Sequence, residues 1–552
     1  MYWDKSDLLF LPVGGSEEIG MNANLYHYDD KWILVDCGIS FPDETDLGID
    51  VLLPDFEFIK SLGDKFLGII LTHGHEDHIG AIPYFADSIN CPIWGTPFTI
   101  ALLKRKLKES QKLNSIELNI LNIDEKFDVG PFQLKAIKTS HSIPDPISIL
   151  ISTQKGKIFH SGDWKLENAS NLDKNINVND FRSIGNDGIL AMVCDSTNAL
   201  VEGRTPSEDF AYNGLMEVIS NIEGMVLVTC FSSNISRIKS LLDIAKKSDR
   251  SVLFLGRALL RAIDAAKEVG ILDELPDLLN VRDLNLIPRS NVIIISTGSQ
   301  GETNSALTRI SKGENKNIKL IKGDTIIFSS RKIPGNENAI LKVQNRFLEM
   351  GVEVITDDDN NVHVSGHPSK DELVEMYSYI KPKICIPVHG TREHIEAHAN
   401  LANQCQVPKI IKPKNGDVIK LNGSSPSIIS KMDFVNYVYD AGEIVQINNK
   451  RFTTRRHSLW NGFVSVSVVI NEQGLLISTP QISQIGVSDS CSMENFLVNL
   501  TLKIENLVDD NNSIKFCSDD EIVSKIKRLI RSDFKSAFFK RPTINIHINR
   551  VI

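Results

Sequence analysis

The chain has 552 residues, 24% charged and 42% hydrophobic, with a formal net charge of −10. This is ordinary globular composition in a chain too long for a single core, so about two to four domains are expected. The acidic balance argues against a protein that coats polyanions non-specifically, although an enzyme acting on a polyanion needs only a local positive channel. Eight cysteines without a Cys-x-x-Cys pair argue against a disulfide framework, and two of them, Cys194 and Cys385, fall in apolar strands.

The opening Met1-Tyr2-Trp3-Asp4-Lys5-Ser6-Asp7 has no signal-peptide pattern, and the longest apolar runs are of strand length, so a cytoplasmic location is expected. To about residue 205, short β-runs alternate with polar loops. Ile33-Leu34-Val35 ends in Asp36-Cys37-Gly38, and Leu67-Gly68-Ile69-Ile70-Leu71 runs directly into Thr72-His73-Gly74-His75-Glu76-Asp77-His78. Lys104-Arg105-Lys106-Leu107-Lys108 is a candidate phosphate contact on a surface helix, but a solvated helix face is the preferred reading. Three further strand ends carry a candidate ligand: His141 after Ile137-Lys138-Thr139-Ser140, Asp163 in His160-Ser161-Gly162-Asp163-Trp164, and His389 in Ile384-Cys385-Ile386-Pro387-Val388-His389-Gly390. Loops at strand ends are where scaffolds hold reactive groups.

Between 206 and 357 the pattern changes. An amphipathic helix over 210–222, a buried strand over 225–231 and a helix over 235–245 are followed by β-branched strands at 252–255, 292–296 and 325–328. Strands alternating with helices predict a parallel, doubly wound sheet. Arg237 and Arg257 in this part are candidate phosphate contacts. Beyond about residue 430 the character shifts again. An alternating run at 463–468, a helix over 496–508, a basic amphipathic helix over 525–531 and a final strand over 543–551 suggest a small α+β domain. A solvated face is the preferred reading of that basic helix.

Three imidazoles and two carboxylates within six residues, in a chain with 13 histidines, point to a metal site. Imidazole and carboxylate together suit zinc. A two-metal centre needs more ligands than this loop supplies, and His141, Asp163 and His389 are the candidates for the rest.

The order His-x-His-x-Asp-His, then a lone His, then Asp in a Ser-Gly-Asp turn resembles the metallo-β-lactamase fold. Asp195 in Cys194-Asp195-Ser196-Thr197-Asn198, His367 in His363-Val364-Ser365-Gly366-His367, and His389 resemble the three motifs of the β-CASP nucleases, where His at the third goes with RNA-cleaving members. Phe231-Ser232-Ser233-Asn234-Ile235-Ser236-Arg237, Ser296-Thr297-Gly298-Ser299-Gln300-Gly301-Glu302, Phe328-Ser329-Ser330 and Ile333-Pro334-Gly335-Asn336-Glu337 narrow the resemblance to the bacterial ribonuclease J family, from about residue 8 to 402.

The resemblance implies a four-layer αββα sandwich (1–205 and 358–430), an inserted doubly wound β-CASP domain (206–357), a linker (431–455) and a C-terminal α+β domain (456–552). The active site would lie in the cleft between sandwich and insertion. It implies two zinc ions per chain, one on His73, His75 and His141, the other on Asp77, His78 and His389, with Asp163 bridging. Asp36 would brace the metal loop, His367 would stabilise or protonate the leaving 3′-oxygen, and Asp195 would orient the site. The implied activity is hydrolysis of single-stranded RNA from a 5′-monophosphate end, with internal cutting besides, in mRNA decay and rRNA maturation, by a homodimer or homotetramer. Ser232, Ser233 and Asn234, with His363, Val364, Ser365, Gly366 and His367 opposite, are candidates for the terminal phosphate; a plain helix cap explains the serine turn equally well. Two other classes are weighed: a hydrolase of small substrates, against which the insertion argues, and a non-catalytic RNA-binding subunit, against which the complete ligand set argues.

Overall fold

A computed structural model describes residues 3–42, 48–167, 176–272, 275–333, 335–358, 360–423, 425–509 and 518–551, so Pro334 of the Ile-Pro-Gly stretch lies outside the described residues. The chain divides into two compact units, one reaching Ile444 and the other holding Val445–Ile552.

In the larger unit two sheets lie face to face. One orders its strands Ser427–Lys431, Asp417–Lys420, Leu9–Gly14, Ala23–Tyr28, Lys31–Val35, Phe66–Ile70, Ile93–Gly95 and Leu118–Ile120. The other runs Lys409–Ile410, Ile384–Val388, Ala191–Asp195, Gly156–His160, Ile147–Thr153, Phe132–Lys138 and Lys126–Val129. Between them Phe10, Ile33, Val35 and Ile70 meet Phe132, Ile149, Ile158, Val193 and Ile386 in one apolar cluster. The outer faces are covered too, which is why central strands such as Lys31–Val35, Ala191–Asp195 and Ile384–Val388 are apolar nearly throughout, whereas Phe132–Lys138 and Lys126–Val129 toward one edge alternate. Leu11, Leu34 and Ile69 pack with Ile82, Phe98 and Leu103 of helices Ile82–Phe85 and Pro97–Glu109. Phe159, Met192 and Cys385 pack with Phe181, Leu373 and Leu401 of helices Val178–Asn186, Lys370–Ile380 and Arg392–Gln404. These are the four layers of an αββα sandwich.

Ala191–Asp195 pairs in parallel with Ile384–Val388, placing Asp195 opposite Val388, although the chain between them builds a separate sheet. That sheet is parallel throughout, in the order Ser251–Leu255, Val292–Ser296, Val226–Thr229, Thr325–Phe328 and Glu353–Ile355. Val228 and Ile295 face Ile238, Leu241 and Ile263 on one side, while Leu227, Ile294 and Ile326 face Leu307, Ile340 and Phe347 on the other. With both faces covered the insertion is doubly wound. Its strands share one carboxyl edge, where the 230–234, 297–305 and 329–333 loops emerge. Such an edge is where open parallel sheets place ligand sites.

The 431–455 stretch, expected as a linker, holds regular structure. Tyr437–Asp440 pairs with Leu52–Leu53, with Val438 buried, and helix Lys450–Asn461 begins inside it. In the smaller unit the sheet Leu476–Ile485, Phe463–Asn471, Thr543–Val551 turns Val464, Val466, Val468 and Ile470 onto Ile522, Ile526, Ile530 and Phe534. These last four recur every fourth residue of helix Asp519–Phe538, which gives that helix its single apolar face. Among the described residues no helix is long and apolar enough to cross a membrane, and the cysteines are free.

Candidate metal centre

Strand Phe66–Ile70 ends beside Lys31–Val35, and Asp36 at the end of the latter ties down the loop that follows. Asp36 is fully buried; it accepts from Thr72 N at 2.8 Å, Thr72 Oγ1 at 2.8 Å and His78 Nδ1 at 2.7 Å. A side chain at Gly38 would meet the Asp77 carbonyl oxygen at 1.7 Å, so only glycine lets the metal loop close over this strand end. Asn22, which the sequence did not single out, places Nδ2 3.1 Å from His78 Nε2.

The seven expected ligands converge. His73, His75, His141 and Asp163 form one group of donor atoms within 4.8 Å of one another; Asp77, His78, Asp163 and His389 form a second; Asp163, Asp195 and His367 form a third. His75 Nδ1 lies 3.0 Å from His73 Nε2 and 3.1 Å from His141 Nε2. His389 Nε2 lies 3.1 Å from Asp77 Oδ2, and His78 Nε2 lies 3.3 Å from Asp163 Oδ2. Asp163 belongs to all three groups.

The far nitrogens of these rings are spoken for. His141 Nδ1 meets Gly366 O at 2.6 Å, and His78 Nδ1 meets Asp36. His389 Nδ1 meets Thr197 Oγ1 at 2.6 Å, whose hydroxyl is donated to Asp195 Oδ1 at 2.7 Å. Each partner accepts, so Nδ1 carries the proton and Nε2 turns a lone pair into the cluster. Converging lone pairs beside buried carboxylates repel one another unless a cation lies among them, so the residues fit a divalent metal.

Electrostatics agrees. Burial drives His75 down to about 4 and holds His73 and His141 well below the usual imidazole range. Burial opposes charge on His389 as well, but Asp163, Asp77 and Asp195 outweigh it and raise it to about 9. Burial would raise Asp163, yet His389, His78 and His367 hold it ionised well below the carboxylate range. Negative charge that retains protons on His78 and His389 is charge that bound cations would offset instead.

The side chains of Asp77 and His367 are 29% and 19% exposed, which makes them the accessible rim of a buried centre. His367 Nδ1 lies 2.8 Å from Asp195 Oδ2, so its Nε2 is the nitrogen left for other partners. Asn198 and Thr205 hold the His367 carbonyl at 3.1 and 2.7 Å. Ser365 Oγ accepts from Asn198 Nδ2 at 2.9 Å, and Val364 is buried beside it. Neither Thr197 nor Asn198 was assigned a role from sequence, although both lie in the quoted Asp195–Asn198 motif.

At the carboxyl edge of the inserted sheet, Ser232 and Ser233 are half-buried, and Asn234 caps helix Ile235–Lys247 by accepting from Arg237 N at 2.9 Å. Arg237 is not a phosphate contact, and the solvated helix face expected of the Lys104 cluster holds for Lys104 and Lys108 but not for Arg105 and Lys106. Arg237 is fully buried and donates to Glu208 Oε2 at 3.0 Å, Val362 O at 2.9 Å and Ser329 Oγ, so its donors are spent inside the fold. In the Lys104 cluster, Arg105 pairs with Asp264 and Glu268 of helix Arg257–Glu268 and Lys106 pairs with Glu76, so these two cations hold elements together. Arg257 is exposed at the start of its helix.

The chain is similar to the metallo-beta-lactamase superfamily over residues 20–170, the ribonuclease J beta-CASP domain over 223–347, and the Zn-dependent metallo-hydrolase RNA specificity domain over 351–409. It is 37% identical to Ribonuclease J of Sinorhizobium meliloti, over 99% of this chain and 98% of that one. Ribonuclease J of Synechocystis is 32% identical over 96% of this chain and 85% of that one, and Ribonuclease J 1 of Streptococcus pyogenes 35% identical over 85% and 84%. A solved Enterococcus faecalis protein of unknown function superposes with a TM-score of 0.53 at 16% identity, covering 75% of this chain and all of that one, a likeness of fold alone.

Proposed function

Since this chain belongs to the ribonuclease J family and is a metal-dependent ribonuclease, we propose that it uses two zinc ions to hydrolyse single-stranded RNA, trimming from a 5′-monophosphate end and also cutting internally. The observation that carries this reading is the sharing of Asp163 between two His/Asp donor groups, with the His367–Asp195 pair at their rim. His73, His75 and His141 would hold one ion, Asp77, His78 and His389 the other, and Asp163 both. When bound, such a pair supplies a water acidified for attack and neutralises phosphoryl oxygens.

The chain's own residues do the rest. Asp195 keeps His367 Nδ1 protonated and fixes the ring, leaving Nε2 to give a proton to the departing 3′-oxygen. The bonds from Asn198 and Thr205 to the His367 carbonyl keep that ring at the rim. For the 5′ end, the hydroxyls of Ser232 and Ser233 would face the terminal phosphate, with 363–366 as the other wall; at the opening of helix Ile235–Lys247 the Ile235 N–H is bonded to Ser233 O and the Arg237 N–H to Asn234 Oδ1. Asn234 would then orient this turn as its cap. The division at residues 205, 357 and 430, with assembly into a dimer or tetramer, belongs to the same reading. A small-substrate hydrolase and a non-catalytic subunit are not favoured, given the inserted sheet and the complete donor set.

The test is to incubate metal-loaded protein with 5′-monophosphorylated and 5′-triphosphorylated RNA of one sequence. Faster release of nucleotides from the monophosphorylated RNA is expected; equal rates would remove the end preference. Elemental analysis giving one ion or none in active protein would remove the two-ion arrangement.

A further inference from the structure

The loop that follows strand Thr325–Phe328 places Arg331 at the carboxyl edge of the inserted sheet, where its side chain is exposed. Its backbone is fixed: Gln300 Nε2 donates to Arg331 O at 2.9 Å, and Ile333 N donates to Gln300 Oε1 at 2.9 Å. Its guanidinium donates from Nη1 to Asn198 Oδ1 at 2.8 Å. Asn198 in turn donates to Ser365 Oγ and to the His367 carbonyl. Arg331 therefore abuts the 363–367 wall of the cleft, one hydrogen-bonded residue from the histidine at the rim of the metal centre.

Charge bookkeeping singles this residue out. Three cations bear on His363: Arg237, Arg331 and Lys165. Arg237 is neutralised by Glu208 and Lys165 by Glu167, at 3.0 and 2.5 Å. Arg331 forms no ion pair among the described residues; Asp357 feels its charge without pairing to it. The buried His363 ring feels the Arg331 charge and bonds the Ser329 backbone, while its Nδ1 has no hydrogen-bond partner among the described residues. A planar fork of donors held by Asn198 but without an ion pair is an arrangement that a phosphate completes, because a phosphate accepts several hydrogen bonds and carries the opposite charge.

We infer, on the 5′-end reading of the cleft, that Arg331 is the specificity-determining cation that binds the terminal phosphate of the RNA, together with the hydroxyls of Ser232 and Ser233. A 5′-hydroxyl end offers that cation no charge, and a closed circular RNA offers it no end. Arg331 thus favours phosphorylated ends by charge, while the walls of the cleft limit their size.

The experiment compares wild type, Arg331→Gln and Arg331→Lys on three RNAs of one sequence: linear with a 5′-monophosphate, linear with a 5′-hydroxyl, and circular. Arg331→Gln should lower kcat/KM on the monophosphorylated RNA by about 10- to 100-fold, mainly through KM, the size of a lost charge-assisted hydrogen bond. That loss should exceed the loss on the other two RNAs at least about tenfold, and Arg331→Lys should recover part of it. Adenosine 5′-monophosphate should weaken as a competitor of Arg331→Gln by a similar factor, whereas adenosine should not. Equal loss on all three RNAs would mean that Arg331 only steadies Asn198, and the assignment falls. A wild type that prefers the monophosphate, with Arg331→Gln preferring it equally, overturns the role of Arg331 alone. A wild type indifferent to the 5′ end overturns the end-recognition reading and Arg331 with it.

Discussion

The carbonyl oxygen of Gly366 lies 2.6 Å from Nδ1 of His141, joining residues 225 positions apart in the chain. Because a carbonyl only accepts, this bond fixes the proton on Nδ1 and delivers the lone pair of Nε2 to the donor cluster. The segment that carries His367 therefore also aims an imidazole of the donor cluster, so segment and cluster are one construction.

Gly366→Ala should break that construction. A Cβ there would stand 2.6 and 2.7 Å from two atoms of the His141 ring and 2.9 Å from Ser142 N, with backbone on one side and a ligand on the other. Metal affinity, measured by competition with a chelator, should fall about 10- to 100-fold, the usual cost of losing a group that orients a ligand. Unchanged affinity and activity would mean that His141 is aimed by its own loop.

His367→Ala should separate proton transfer from metal binding. Its Nδ1 is bonded to Asp195 at 2.8 Å, while its closest approach to Asp163 is 3.9 Å. Turnover should drop by about 100- to 10,000-fold with metal content unchanged, the range for a general acid. Metal loss in step with activity would make His367 a ligand or the support of one.

Arg237→Met tests the corrected role of that residue. Glu208 would keep its buried charge and lose its partner, at a cost of about 3–5 kcal/mol. A clear fall in melting temperature is expected, partly restored by adding Glu208→Gln. A variant with wild-type stability but weakened RNA binding would return Arg237 to the list of phosphate contacts.

Acid should loosen the fold through His398. This ring is fully buried between Ser196 Oγ at 2.8 Å and Tyr377 OH at 2.7 Å, and burial lowers it from 6.5 to about 4. A depressed imidazole binds its proton more readily in the unfolded chain. Its contribution is therefore complete above about pH 6.5 and lost as pH falls toward 4, by up to about 3 kcal/mol. His398→Gln should flatten the pH dependence of the melting temperature in that window; an unaltered slope would place the acid sensitivity elsewhere.

The donor loop was legible because gathering imidazoles at a strand end needs only short-range spacing, as in His73, His75 and His78. The insertion was legible for a similar reason, since its strands are apolar runs alternating with helices, whereas the sandwich followed only from the resemblance that the ligand motifs carry. Thr197 gains its function only when Asp195 is set opposite Val388 and so beside His389, a matter of strand register that no local pattern carries. Arg237 failed in the opposite sense. An arginine just after a serine turn resembles an anion ligand until Glu208 and Val362, brought in by helix packing, are seen to consume its donors. Arg331 went unremarked because the role inferred for it turns on its having no carboxylate partner among the described residues, which only the fold reveals.

The return of Ile384–Val388 to the first sheet also orders events during synthesis. A nascent chain grown as far as Trp164 already carries His73, His75, His141 and Asp163, one complete donor group. His367 and His389 emerge only after the whole inserted sheet has left the ribosome. A partly made polypeptide thus carries these four donors without the Gly366 carbonyl that aims His141 and without the residues that complete the site, so a truncated product is left with a donor group that is neither fully aimed nor fully assembled.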